Sequence, residues 1–261
     1  MNNGGFLGTP NFTRRGLFNN KDILFDKNNI RTNNLFSDCV VKIDPYLNAL
    51  NLTEAQRNNI AGAVDFSGRS NCGQVLYTNL TKAPINTANS FLFDGTNDSM
   101  IVNVKGIPAN SARSLMVVAY VPSGCLNRCF AVHWGSSTRA SFGLSVADTQ
   151  PYARLWTYSD DVDSSVVLTP NTVHLLFGTY DGARGLKLYT DNLFTPYSKT
   201  LSGDLNVTST TFYIGSADVG LFFNSHIYFV GYWTRYFTAT EYAQLYYYMK
   251  DEMGKRNVAL T

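Results

Sequence analysis

Charge is scarce in this chain. Lysine, arginine, aspartate and glutamate make up 15% of its 261 residues, against roughly 25% in typical soluble domains. The net charge is +2 and there is no basic run. That excludes a nucleic-acid partner, because binding phosphate takes clustered Lys and Arg. Long apolar runs are missing as well. Nothing approaches the roughly 20 consecutive positions of a membrane span, so no membrane partner is expected. The opening Met1-Asn-Asn-Gly-Gly-Phe-Leu-Gly8 has neither a charged n-region nor an apolar h-region, and predicts no signal peptide. Without export, Cys39, Cys72, Cys125 and Cys129 are expected to stay thiols. Cys125 and Cys129 form a C-x3-C with no second pair at zinc-binding spacing.

Glutamate is the rarest acid: Glu54, Glu241 and Glu252 are the whole set, all in or beside predicted helices. Histidine is nearly as sparse. His133, His174 and His226 are far apart, each in or next to a predicted strand, and no G-x-S-x-G accompanies them, so a nucleophilic triad is not expected.

What the chain does have is apolar and aromatic substance, 44% and 14% of residues, enough for one large β core. Residues 1–36 differ from the rest. They are rich in Gly and Asn, with Phe6, Leu7, Phe12, Leu17, Phe18 and Phe25 isolated or in small groups and Arg14 and Arg15 between them. This reads as an extended arm that is pinned against either its own domain or a neighbouring chain. Residues 37–261 form the folded domain. Thr53 to Gln56 is a capping box that predicts a short helix to Ala61. Leu115 to Val121 is an unbroken apolar run, as in a strand covered on both faces. Val173 to Tyr180 and Leu186 to Thr190 flank Asp181-Gly182-Ala183-Arg184-Gly185, a hairpin. In Ile227 to Trp233 the alternation places Ile227, Phe229, Gly231 and Trp233 on one face, and Tyr228, Val230 and Tyr232 on the other. Both faces are apolar, so both are expected to be covered. Thr238 and Glu241 cap an amphipathic helix carrying Tyr242, Leu245, Tyr246, Met249 and Met253. Gly254 is expected to end it, with Lys250, Lys255 and Arg256 near its negative pole. The fold class is all-β: an antiparallel β-sandwich with a short C-terminal helix.

Several stretches resemble the laminin-G-like domain of the concanavalin A-like jelly rolls. Phe93-Asp-Gly-Thr-Asn-Asp98 is similar to its F-D-G-x-x-D, and Asn171 to Gly182 to its N-x-W-H-x-x-x-x-Y-D-G, with Val173 in place of Trp. Leu186 to Asn192 is similar to L-Y-V-D-G, and Phe212-Tyr-Ile-Gly215 to l-x-I-G. Phe222 to Tyr246 resembles the closing strand and helix, and Asp65 to Gly68 the D-x-S-G turn. The resemblance runs in order over about 38–250. It implies a jelly roll in which His174 is structural. With the Gly-rich arm, it is to the versions found in tailed-phage virion proteins. That implies a non-catalytic virion structural protein, assembled in the host cytoplasm. Its partners would be other virion subunits or further copies of itself, as in a trimer. The alternative is an adhesin that binds a cell-surface glycan.

The least expected function is sugar cleavage. Enzyme relatives carry E-x-D-x-x-E on one strand, which this chain lacks, and hydrolysis needs two carboxyls set across the bond. Asp160, Asp161 and Asp163 form the one dense acidic cluster. It reads first as a solvated turn, with calcium the cation that such oxygens would hold; no other cofactor is expected. Trp134, Tyr152, Trp156 and Tyr158 lie near loops. Sugar rings stack on aromatic faces of this kind while acids such as Asp160 and Asp161 hold the hydroxyls.

Overall fold

The computed structural model describes residues 35–46, 76–77, 84–217 and 220–261. The arm residues Phe6 to Phe25, the capping box at Thr53, the turn at Asp65 and Cys72 lie outside the described residues. Among the described residues fifteen strands form two antiparallel sheets, as the sequence leads one to expect. The first runs β13 (Tyr197–Thr200), β12 (Gly185–Thr190), β11 (Thr172–Tyr180), β6 (Arg113–Val121), β15 (His226–Trp233), β4 (Phe91–Leu92) and β3 (Ile85–Asn86), and β1 (Cys39–Ile43) also pairs with β15. The second runs β10 (Val162–Val167), β9 (Tyr152–Trp156), β8 (Phe142–Val146), β7 (Arg128–His133), β14 (Thr211–Ile214), β5 (Met100–Asn103) and β2 (Leu76–Tyr77).

Three layers result, because the first sheet is apolar on both faces. Leu115, Val117, Ala119 and Val121 of β6 point between the sheets, onto residues such as Phe142, Leu144 and Leu155. Met116 and Val118 point the other way, onto helix α1 (Ala239–Gly254), which presents Tyr242, Leu245, Tyr246, Met249 and Met253. The unbroken run read in the sequence is therefore a strand with cover on each side. At the hairpin between β11 and β12, Asp181 Oδ1 accepts from the N–H groups of Ala183 (2.6 Å) and Gly185 (2.9 Å).

One expectation is corrected. β15 carries a bulge between Ile227 and Phe229. Ile227 consequently joins Val230 and Tyr232 between the sheets, while Phe229 and Trp233 face the helix. A bulge adds one residue and shifts the alternation beyond it, so Ile227 changes faces and Trp233 does not. At the end of α1, Gly254 is the last helical residue. The left-handed position is Asn257, at φ +56°. Arg256 is not a surface cation at the helix pole. It turns inward and pairs with Asp44 through Nη1–Oδ1 (2.7 Å) and Nη2–Oδ2 (2.9 Å).

The packing also begins ahead of residue 37. Leu35 is buried, its carbonyl accepts from Trp233 Nε1 at 2.9 Å, and the Phe36 ring lies 5.8 Å from that of Trp233. Cys125 and Cys129 are buried free thiols, and Cys39 is buried with its Sγ donating to the Val41 carbonyl at 3.0 Å.

A buried polar bridge joins the sheets. His133 Nε2 meets the Ser209 carbonyl at 2.6 Å, so it carries the proton, and Nδ1 accepts from Tyr232 Oη at 3.0 Å. Burial, with a smaller push from Arg113, brings the His133 imidazole down to about 4. The unfolded chain takes up a proton at about 6.5 that the fold refuses. Stability from this residue is thus full above about pH 6.5 and declines as pH falls toward 4, by about 3 kcal/mol in total. Denaturant titrations between pH 7 and 4 should show that slope, and His133→Gln should flatten it. His174 runs the opposite way. Burial lowers it, but the Asp191 carboxylate at 2.7 Å and the Thr169 carbonyl outweigh that and raise it. Its contribution is full below about pH 6.5 and is lost as pH rises through its raised value. His226 bonds Ser90 Oγ through Nδ1 at 2.8 Å. All three histidines are hydrogen-bonding groups of the fold.

Candidate functional site

The first sheet has α1 over its outer face. The outer face of the second sheet carries no helix among the described residues, and there the strand registers line up two rows. One row is apolar: Ile101, Tyr213, Val132, Gly143 and Trp156 stand side by side across β5, β14, β7, β8 and β9. The next is polar: Cys129, Ser145, Arg154 and Asp163 across β7, β8, β9 and β10. Gly143 is required where it is, since a Cβ there would come within 2.6 Å of Val132 Cβ.

At the β9 end of the apolar row three aromatic rings meet. Trp134 follows β7, Trp156 ends β9, and Tyr158 stands in the loop beyond. Ring centroids are 5.2 Å apart for Trp134–Trp156, 5.7 Å for Trp134–Tyr158 and 6.2 Å for Trp156–Tyr158. The last pair is nearly parallel, at 22°. Trp134 is buried and meets both of the others at an angle, Trp156 is half-buried, and Tyr158 is 40% exposed. The result is a small aromatic platform whose solvent-exposed member is Tyr158, stacked on Trp156.

Tyr158 is held there against its backbone preference. Its φ is +83°, a region that costs a residue with a Cβ on the order of 1–2 kcal/mol. Asp161 supplies the restraint: its Oδ1 accepts from Thr157 N–H at 2.8 Å, and its carboxylate also accepts from Tyr158 N–H. Burial raises the Asp161 carboxyl, and those N–H groups and Arg154 only partly offset it. Asp160 ties the same loop to its neighbours. It accepts from Ser202 Oγ (2.6 Å) and Arg139 Nη1 (3.4 Å), with Lys199 Nζ at 3.7 Å. Ser159 Oγ donates to Thr138 Oγ1 at 3.2 Å, joining the loops on either side of the platform.

Of the expected aromatic residues, Trp134, Trp156 and Tyr158 come together and Tyr152 does not. Tyr152 shares the outer face but starts β9, four residues from Trp156, about 13 Å along an extended strand. The acidic cluster does not converge either. Asp161 is turned into its own loop, Asp160 goes to Ser202 and Arg139, and Asp163 makes a two-pronged pair with Arg154 at 2.7 and 2.8 Å. Among the described residues no three His, Cys, Asp or Glu side chains are grouped to hold a metal ion. Sequence reading missed Arg154 and Arg139. The first was within reach, since Tyr152-Ala-Arg154-Leu-Trp156 alternates and puts Arg154 beside Trp156.

No protein-family model matches this chain, and no curated protein matches its sequence. Solved structures do. The binding domain of botulinum neurotoxin serotype D is similar at a TM-score of 0.55 and 12% identity, over 83% of this chain and 52% of that one. The ligand-binding domain of the same serotype, in complex with N-acetylneuraminic acid, gives 0.54 and 12% over 83% and 52%. The binding domain of Paraclostridial Mosquitocidal Protein 1 gives 0.51 and 12% over 81% and 52%. The chain spans about half the length of these structures, and the likeness establishes a shared β-sandwich fold.

Proposed function

We propose that this chain is a non-catalytic carbohydrate-binding β-sandwich that takes a saccharide on Trp156 and Tyr158. The observation that carries the reading is Tyr158 itself, an exposed aromatic ring in a strained backbone state, stacked on Trp156 and fixed by Asp161. Strain of this kind persists where surrounding structure enforces it, and a flat preformed ring face suits the C–H face of a sugar. One neighbour of the same fold was crystallised with a sugar acid, which supports the class of ligand. Binding without turnover is supported by the acids. Glu241 is committed to Thr238 and Arg235 at the head of α1, Glu252 pairs with Lys255, and the three aspartates are engaged as described.

Glycan-array binding followed by titration of intrinsic tryptophan fluorescence tests this reading. Tyr158→Ala and Trp156→Ala are expected to weaken Kd on the order of tenfold or more, with no release of reducing ends from any bound glycan. Affinity unchanged in both variants would refute the platform as the site.

The setting we attach to this module is a phage virion, with the arm anchoring it to other subunits or to further copies of itself. Because Leu35 and Phe36 belong to the core, the informative deletion removes residues 2–34. That chain is expected to remain a folded sandwich and to lose self-association, as read by size exclusion with light scattering. Identical masses for the full and shortened chains would end the self-assembly half of the proposal.

A further inference from the structure

Among the described residues, the cations beside the platform are paired with the protein's own carboxylates. Arg154, next to Trp156 on the outer face, makes the two-pronged pair with Asp163 and also meets Asp148 at 3.2 Å and Asp161 at 3.9 Å. Arg139 and Lys199 share Asp160. Three cations thus stand among four carboxylates. Arg128, the other cation in the strands of this sheet, begins β7, at the far end from Trp134. Among the described residues, the one buried N–H of these guanidinium groups without a partner is Arg139 Nε, so an incoming carboxylate or sulfate would meet cations already held by carboxylates and would face like charge. The hydrogen-bonding groups that remain at the rim suit hydroxyls: Ser159 and Ser202, whose O–H groups already donate to Thr138 and Asp160, offer acceptor oxygens, the Thr138 hydroxyl can donate, and Asp148, 56% exposed, accepts.

We infer that the platform selects neutral saccharides and rejects carboxylated or sulfated ones, unlike the neighbour that was crystallised with N-acetylneuraminic acid. This rests on the carbohydrate reading above and narrows it to a class. The Arg154–Asp163 pair is the charge lock. Opening it frees a guanidinium fork of the geometry that binds carboxylates.

The test uses the full chain and pairs of glycans in which a carboxylate is neutralised by methyl esterification: 3′-sialyllactose methyl ester against 3′-sialyllactose, and methyl-esterified oligogalacturonate against the free acid. The neutral glycans found to bind are expected to have Kd values at least tenfold lower than their charged counterparts. Asp163→Asn is expected to shrink that ratio by improving the charged partner, and far-UV circular dichroism checks that the variant stays folded. Equal or tighter binding of the charged member, lost in Tyr158→Ala, overturns the neutral class and leaves the carbohydrate site standing. If no glycan of either kind binds, both inferences fall.

Discussion

Trp233→Ala is expected to cost about 3–5 kcal/mol and to abolish soluble expression. Trp233 ends β15 with no exposed surface, and its ring meets those of Phe36, Phe177 and Phe237 at 5.8, 6.3 and 5.3 Å. Truncation removes the largest side chain in the layer between α1 and the first sheet. It also removes the indole N–H that fastens Leu35. The helix and the start of the folded chain lose a shared anchor, so relaxation cannot close the cavity cheaply. Trp233→Phe keeps most of the volume and drops only the hydrogen bond and one ring. It should lower the urea midpoint by a fraction of the alanine effect. A soluble alanine variant with a near-native midpoint would show that the helix layer contributes little.

Asp44→Ala is the second large effect. Asp44 follows β1, Arg256 follows α1, and both side chains are almost completely buried, at 4% and 3% exposure. Losing the carboxylate leaves a guanidinium in a dry site over the Tyr46 ring, with Glu252 at 3.8 Å as a weak substitute. Breaking such a pair from one side costs about 3–5 kcal/mol, whereas replacing both partners with apolar residues is often neutral. Asp44→Ala should therefore unfold at a much lower denaturant concentration, and Asp44→Leu with Arg256→Met should recover most of the loss. A double variant as unstable as the single one would mean that the pair is needed for geometry and not merely for charge balance.

Where local physics decides the structure, the sequence reading succeeded. The β11–β12 hairpin was legible because Asp181 and Gly182 suit a turn whatever surrounds them, and β6 because an apolar run that long needs cover on both faces. Thr238 and Glu241 announced α1 for the same reason. The bulge at Tyr228 was not legible, since it depends on how β15 pairs with β6 and leaves no mark on composition. The Asp44–Arg256 pair is separated by 212 residues and exists only once β1 and the end of α1 are adjacent. In the site, aromatic identity marked out Trp134, Trp156 and Tyr158, but no pattern separated them from Tyr152. The acidic run suggested a shared ligand, whereas its three carboxylates diverge: Asp161 accepts from N–H groups of its own loop, while Asp160 and Asp163 have nearer partners on other segments.

The uneven cover of the two sheets has a consequence for how the molecule opens. β6 has a paired strand on each side and packed layers above and below, so its amide protons should be released only by unfolding the whole domain. β10 ends its sheet with Val166 and Val167 exposed, and its protons are reachable through local fraying alone. Deuterium uptake is therefore fast on the side where the platform stands and slow in the middle of the other sheet. An occupant of the platform would slow exchange in the segment from Tyr152 to Val162 while β6 keeps its rate. That contrast is an internal clock by which local protection can be told from a general gain in stability.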